Sequence, residues 1–294
     1  MKKKKRFQMG LLAAIVALTG CSSSNKEQVG AEAEQSNRVV AISTAVVDIM
    51  DRLEIDLVGI PSTKKEIPER YNGVTEVGNA MSPDLEIIKS LNPDTVYSVT
   101  TLESDLSESF TNAEIEANFL DLQSIDSMQD EILELGEKYD RQQQAGELVS
   151  EMDQQLQEIT QKVKDYESPR VLILFGVPGS YLVATENSYI GNLVEICGGV
   201  NAVEGQSVEY LASNTEYLQE SNPDIILRMA HGMPDEVVKM FDEEFKTNDI
   251  WQHFDAVKNG RVYDLDESLF ASTANLQVCD ALNELMAIFY GEEE

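Results

Sequence analysis

Two stretches of the chain, DLEIIKSLNPDTVYSV at residues 84–99 and NTEYLQESNPDIILRM at residues 214–229, read as one unit written twice. In each, a helical pattern runs into Asn-Pro-Asp, at Asn92-Pro93-Asp94 and Asn222-Pro223-Asp224, and an apolar run of strand length follows. Proline disfavours helical geometry in the residue before it, so both helices must end at the asparagine. Glu86 and Glu216 hold equivalent positions ahead of the two turns. A helix–turn–strand unit repeated in two halves restricts the fold more than composition does. It predicts two lobes of similar build with a cleft between them, lined by loops at strand ends.

The pattern around the repeat agrees. RVVAIS, DLVGIP and DTVYSV read as strands, with helices at AVVDIMDRL and PDLEIIKSL. After Pro169 the alternation restarts, with strands at RVLILFGV, YLVAT, DIILRMA and RVYDLD and helices at IGNLVEICGG, NTEYLQES, PDEVVKMFDEEF and ANLQVCDALNELMAIFY. Such alternation predicts an α/β chain of two Rossmann-like three-layer lobes, each built on a parallel sheet. Between the halves, Leu148, Met152, Leu156, Ile159 and Val163 recur at spacings of three or four, one apolar stripe on an amphipathic helix. From Arg141 to Tyr166 that helix would run roughly 40 Å, a rigid spine rather than a hinge. The expected divisions are residues 38–140 and 168–294 for the lobes and 141–167 for the spine.

The start of the chain is of another kind. Lys2 to Arg6 are basic and Met9 to Leu18 apolar, about half the length that spans a bilayer, so residues 1–20 read as a secretory signal. Leu18-Thr19-Gly20-Cys21 resembles a bacterial lipobox, which implies lipidation of Cys21 and a lipid-anchored protein on the extracellular face of the cell membrane. Residues 21–37 then form a polar tether. The formal net charge is −31, and removing the basic leader makes it five units more negative. That balance excludes a nucleic-acid partner, which needs a basic footprint. Cys197 and Cys279 lie in apolar helix-like segments, where a small buried hydrophobe is the ordinary role; spacing leaves a disulfide between them open.

The chain has two histidines, and His231 stands in ILRMAHGMPDE, directly after an apolar strand and before Gly232 and Pro234. Met81, in VGNAMSPDLE, precedes Ser82 and Pro83, a candidate helix N-cap and first helical residue. If the cleft sets these two opposite each other, imidazole and thioether can take one metal from two sides. Zinc wants four ligands and finds too few here. Iron in a porphyrin needs only axial ligands from the protein. On residue type alone, a loop histidine is more often a surface or hydrogen-bonded residue and a lone methionine more often a core one. GVPGSY is no nucleophile elbow, since Leu182 stands where the second glycine is required, and an enzyme is not expected.

Four segments carry a family resemblance: VGNAMSPDLEIIKSLNPD, ILFGVPGSYLVATENSYIGNLVEICGG, EYLASNTEYLQESNPDIILRMAHGMPDEVVKMFDEEFKTNDIW and FDAVKNGRVYDLDE. They resemble the IsdE-type haem-receptor lipoproteins of the Gram-positive iron-regulated surface determinant system, class III periplasmic-binding-protein folds that serve ABC importers. The resemblance implies a monomeric iron-acquisition receptor for one haem b. It implies Met81 and His231 as axial ligands and Glu86 and Glu216 as contacts to the ABC permease. Cell-wall haem-relay proteins are the implied donors. The acidic chain offers few cations for the haem propionates, with Lys64, Lys65 and Arg228 the nearest. Backbone N–H groups at Thr44, Ala45, Ser62, Thr63 and Lys64 are therefore the expected propionate contacts. Tyr181 and Tyr189 are weaker candidates for packing on the porphyrin. The rival reading is a sibling receptor for a ferric siderophore or a corrinoid, for which Arg228 is the argument.

Overall fold

The computed structural model describes residues 37–213, residue 218 and residues 221–291. Cys21 and Glu216 lie outside the described residues.

The first half builds a parallel sheet. Its strands are β1 (Val39–Ala41), β2 (Leu57–Ile60), β3 (Thr75–Glu76), β6 (Thr95–Val99) and β7 (Ala117–Leu120), in the order β3-β2-β1-β6-β7. Helices α1 (Thr44–Arg52), α2 (Leu85–Ser90), α3 (Glu103–Asn112) and α4 (Ile125–Lys138) accompany it. A short antiparallel hairpin of β4 (Gly78–Asn79) and β5 (Ser82–Pro83) precedes α2. Because β1 leads outward to β2 on one side while β6 is its neighbour on the other, the chain reverses its winding between β1 and β6. Ligands of open α/β sheets bind at such a switch point, beyond the carboxyl ends of the strands.

The second half is mixed rather than parallel. β8 (Arg170–Val177), β12 (Ile225–Ala230) and β13 (Val262–Leu265) run parallel, but β9 (Ser180–Ala184) folds straight back on β8. β11 (Tyr210–Ala212) then adds antiparallel to β9, and β10 (Val200–Asn201) pairs with the start of β8. The expectation of a parallel sheet here is corrected by two residues. Pro178-Gly179 closes a hairpin, with Gly179 at φ 86°, the proline-then-glycine order of a type II turn, and no crossover helix fits in so short a link. Around this sheet lie α6 (Tyr189–Ile196), α7 (Pro234–Thr247), α8 (Asp255–Lys258) and α9 (Val278–Tyr290).

Alternate residues of the central strands enter different cores, as the two-residue pleat requires. Val171, Ile173 and Phe175 of β8 join one cluster with Ile225, Leu227 and Met229 of β12, while Leu172, Leu174 and Ile226 join Phe241 and Trp251 on the far face. The first cluster continues without a break into Val39, Ala41, Tyr97 and Val99 of the first sheet. The element that fuses them is α5 (Gln142–Lys162), 21 residues long. Its Ala145, Leu148, Met152 and Ile159 are buried. It packs on α1 and α4 of the first half and on α6 and α9 of the second.

The repeat has a matching set of bonds in each half. The Arg38 and Arg170 backbone N–H groups donate to Asp94 Oδ2 (2.8 Å) and Asp224 Oδ2 (2.7 Å). The two aspartate N–H groups return the bond to the arginine carbonyls, at 2.8 and 2.7 Å. Each guanidinium caps a helix end, Arg38 Nε on Leu91 O and Arg170 Nε on Ser221 O, both at 2.8 Å. Asn92 and Asn222 take φ values of 43° and 31°, the left-handed exit that asparagine tolerates.

Candidate functional site

The carboxyl ends of β1, β2 and β12 supply the residues singled out by sequence. After β1, Ser43 stands at the N-cap of α1 but makes no side-chain capping bond, and no acidic residue occupies the first turn. The amide groups at that helix start, including those of Thr44 and Ala45, are the unpaired donors that every helix leaves at its beginning. They carry the positive end of the helix dipole.

After β2 the chain enters the loop of Ser62, Thr63, Lys64 and Lys65. Ser62 does not offer its N–H to a ligand, because it donates to Gly78 O at 2.8 Å. That expectation is corrected by the hairpin, which uses this bond to fasten itself to the loop. Thr63 Oγ1 accepts from Lys65 N at 3.0 Å, turning the loop back on itself.

Met81 sits at the tip of the β4–β5 hairpin and is 67% exposed. Asn79 Oδ1 accepts from both Met81 N (3.1 Å) and Ser82 N (3.0 Å), a side-chain-closed turn that fixes the tip. The expected Ser82 cap is not formed. Asp84 caps α2 instead, its Oδ1 accepting from Glu86 N (3.0 Å) and Ile87 N (3.1 Å), and Ser82 and Pro83 belong to β5. Glu86 is exposed on the first turn of α2.

His231 leaves β12 with its N–H donating to Gly176 O at 2.8 Å. Gly176 also lets α7 approach the sheet. A Cβ at this position would strike Val237 and Phe241 of that helix, so only glycine allows α7 to reach β8. Gly232 and Met233 follow at φ 69° and 50°, and Pro234 opens α7. Gly232 N donates to Glu267 Oε1 at 2.8 Å. The imidazole stacks on Phe175, ring centroids 5.4 Å apart and planes 26° off parallel, and Phe175 in turn packs on Tyr210 at 4.7 Å.

Burial pushes the His231 imidazole below its ordinary pKa; Glu267 opposes this and Lys65 adds to it. Hydrogen bonds from the Ser268 backbone and side chain hold the Asp266 carboxyl below its ordinary pKa, and Lys65 adds to this. A lysine of the β2 loop therefore acts electrostatically on His231 and Asp266, which follow β12 and β13. The hairpin carrying Met81 is tied to that same loop through Ser62. Phe175, Glu267, Asn79 and Lys65 are thus parts of the site. Of these only Lys65 stands out in sequence, because the others act through ring contacts and turn bonds that depend on tertiary neighbours.

Other candidates lie elsewhere. Arg228 is 8% exposed, its guanidinium bonded to Asp264 Oδ1 (2.7 Å) and Asp242 Oδ1 (3.0 Å) and placed over Phe241 and Phe245. It faces α7, with its donors engaged by these two carboxylates. Tyr181 packs on Phe241 and Trp251, and Tyr189 is fully buried in the core. His253 lies on the surface, Nδ1 2.8 Å from Asp249 O. Cys197 and Cys279 are free thiols. A groove of 680 Å³ between α5 and α9, lined by Glu151, Glu158, Tyr166, Asp280 and Tyr290, belongs to neither strand-end cluster.

Residues 39–269 match the periplasmic binding protein family. The high-affinity heme uptake system protein IsdE of Staphylococcus aureus strain bovine RF122 is 44% identical over 285 residues, 97% of each chain. Among solved structures, an ABC transporter substrate-binding protein from Listeria monocytogenes is 56% identical. It superposes with a TM-score of 0.84, over 88% of this chain and all of that one. S. aureus IsdE complexed with heme is 45% identical with a TM-score of 0.84, over 86% of this chain and 98% of that one. On this match and these likenesses, the chain belongs to the periplasmic binding protein family and, within it, to the IsdE group, substrate-binding transport proteins rather than enzymes.

Proposed function

We propose that this protein is a haem receptor that captures one haem b in the cleft between its halves and delivers it to an ABC permease. The observation that carries the reading is the placement of His231: a half-buried imidazole at a strand end, its pKa lowered by burial and by the charge of Lys65, in the loop that anchors the Met81 hairpin. Neutral imidazole is the form that ligates iron. Met81 supplies an exposed, polarizable thioether from a turn closed by Asn79. The uncapped start of α1 at Thr44 and Ala45, with Thr63 and Lys64 of the neighbouring loop, supplies donors for the propionates. When bound, the porphyrin completes the iron coordination through its own four nitrogens. The protein's part is to ligate, orient and exclude water.

In the same reading Cys21 carries the lipid that holds the receptor at the extracellular face of the membrane, and residues 21–37 tether it. Residues 38–140 and 168–294 act as the lobes and 141–167 as their link. Haem arrives from cell-wall relay proteins, the receptor works as a monomer, and Glu86 and Glu216 meet the permease. A siderophore or corrinoid receptor is the weaker reading, because Arg228 is committed to Asp264 and Asp242.

The test is a haemin titration followed by absorption, with Met81→Ala, His231→Ala and Glu86→Ala alongside the wild type. We expect saturable one-to-one binding with low-spin bands, changed in form by each of the first two substitutions and untouched by the third, which should instead block uptake by cells. Wild-type protein that leaves the haemin spectrum unsaturated would overturn the proposal. Cys21→Ala should release the receptor into the medium, and its retention on membranes would remove the lipid anchor.

A further inference from the structure

We infer that Phe175 is the positioning residue of the proposed iron ligand, setting the plane of the His231 imidazole by stacking on it. Ligating histidines are ordinarily oriented by a second hydrogen bond, the free ring N–H donating to a carboxylate or carbonyl. His231 makes no such bond among the described residues; Glu267, the carboxylate whose charge acts on it, spends Oε1 on Gly232 N instead. What the ring does have is the face of Phe175, 5.4 Å centroid to centroid and 26° from parallel.

That face is itself fixed. Phe175 is 7% exposed, sits near the end of β8 opposite Met229 of β12, and has Tyr210 of β11 packed against it at 4.7 Å. The adjacent Gly176 carbonyl holds His231 N. Backbone position and ring plane are thus set by consecutive residues of one strand. Stacking engages the ring face rather than its edge, so the contact itself leaves the nitrogens free to ligate. A hydrogen-bonded orienter would raise the basicity of the ligand, whereas an aromatic face fixes its angle without adding electron density.

The inference deepens the haem reading and rests on it for the ligand, but its first test needs no haem. With only two histidines in the chain, His231 and His253 give two sets of ring-proton signals, and exposed His253 serves as the reference. In the haem-free protein the His231 ring protons are expected upfield of those of His253, through the ring current of Phe175. Phe175→Leu should abolish that difference and Phe175→Tyr should restore it. In the haemin complex, Phe175→Leu is expected to replace a single low-spin electron-paramagnetic-resonance signal by a broadened set, with affinity changed far less than by His231→Ala. Unshifted His231 protons in the wild type, or Leu and wild-type complexes with the same signal, would overturn the inference. Should Phe175→Leu not fold, Tyr210→Leu, at a less buried position, removes the backing of Phe175 and should broaden the same signal; an unchanged one overturns the inference equally. Failure of wild-type haemin binding with the ring-current shift intact would strike the haem reading alone.

Discussion

Asp48 projects from α1 beside Lys65 and Asp51, and burial pushes its carboxyl up to about 6, with Lys65 opposing and Asp51 adding to the rise. Its folded-state pKa lies above that of an unfolded aspartate, so the folded chain holds the proton more tightly than the unfolded one. The penalty is absent below about pH 4, develops between pH 4 and 6, and is complete above pH 6. Fully expressed, two pKa units would amount to roughly 3 kcal/mol; solvent screening at this half-buried position cuts that to about 1–2 kcal/mol. Asparagine imitates the protonated form. Asp48→Asn should therefore unfold in urea about 1–2 kcal/mol later than wild type at pH 7 and together with it at pH 4. A variant weaker than wild type at pH 7 would mean that attraction to Lys65 outweighs burial. Arg228 offers the complementary case. Replacing it with methionine leaves Asp264 and Asp242 without their cation and should cost about 2–4 kcal/mol, while haemin affinity stays at the wild-type value. Lost affinity in a folded Arg228→Met protein would show that the guanidinium reaches the ligand after all. In sequence Arg228 is one more cation near the histidine; that its side chain points to α7 follows from strand alternation, which puts it on the face opposite Met229.

At the scale of elements, the apolar patterns carried the central strands and the spine, because a strand buried on both faces must be an unbroken apolar run. The run RVLILFGV is β8 from its first residue to its last. Local chemistry misled where two readings compete. Ser82-Pro83 has the composition of a helix start, yet the hairpin takes these residues because Ser82 N is captured by Asn79 and Asp84 makes a better cap two residues later. A two-residue Pro-Gly link says hairpin, and that signal at Pro178 weighs more than the alternation that suggested a parallel sheet. The helical segments between residues 101 and 140 gave no distinct expectation, although α4 carries a reciprocal Ser124–Ser127 cap. The crossing of α4 and α5 shows how tightly these elements fix each other. A Cβ on Gly136 would lie 2.5 Å from Ala145 Cβ, closer than packed carbons approach. Gly136→Val should force the two helices apart at a cost of about 1–3 kcal/mol, read as an earlier urea midpoint with an unchanged slope. An unshifted midpoint would mean the crossing can open freely.

At the scale of the molecule, the duplicated unit was legible because its Asn-Pro-Asp turn is chemistry that survives divergence around it. The contacts joining the halves were not legible, since they lie between residues far apart in sequence. Leu122 O accepts from Ala274 N at 2.7 Å, Ile125 N donates to Asn192 Oδ1 at 3.1 Å, and Gln123 Nε2 donates to Glu209 Oε1 at 3.1 Å. These bonds lie alongside a core that runs from Val39 to Phe289 through the spine. A hinge closure would have to break backbone bonds and shear buried side chains, whereas a flexible two-strand hinge absorbs rotation in a few loop dihedrals. Loading should consequently leave the shape almost unaltered. Small-angle scattering of the receptor without and with haemin tests this directly, the folded part having a radius of gyration of roughly 18 Å. Superimposable curves are expected. Compaction on loading would overturn the rigid-junction account and place the work of release in spontaneous reopening. Superimposable curves leave that work to the permease, which in the docking proposed above would pull on Glu86 of one half and Glu216 of the other until the junction yields.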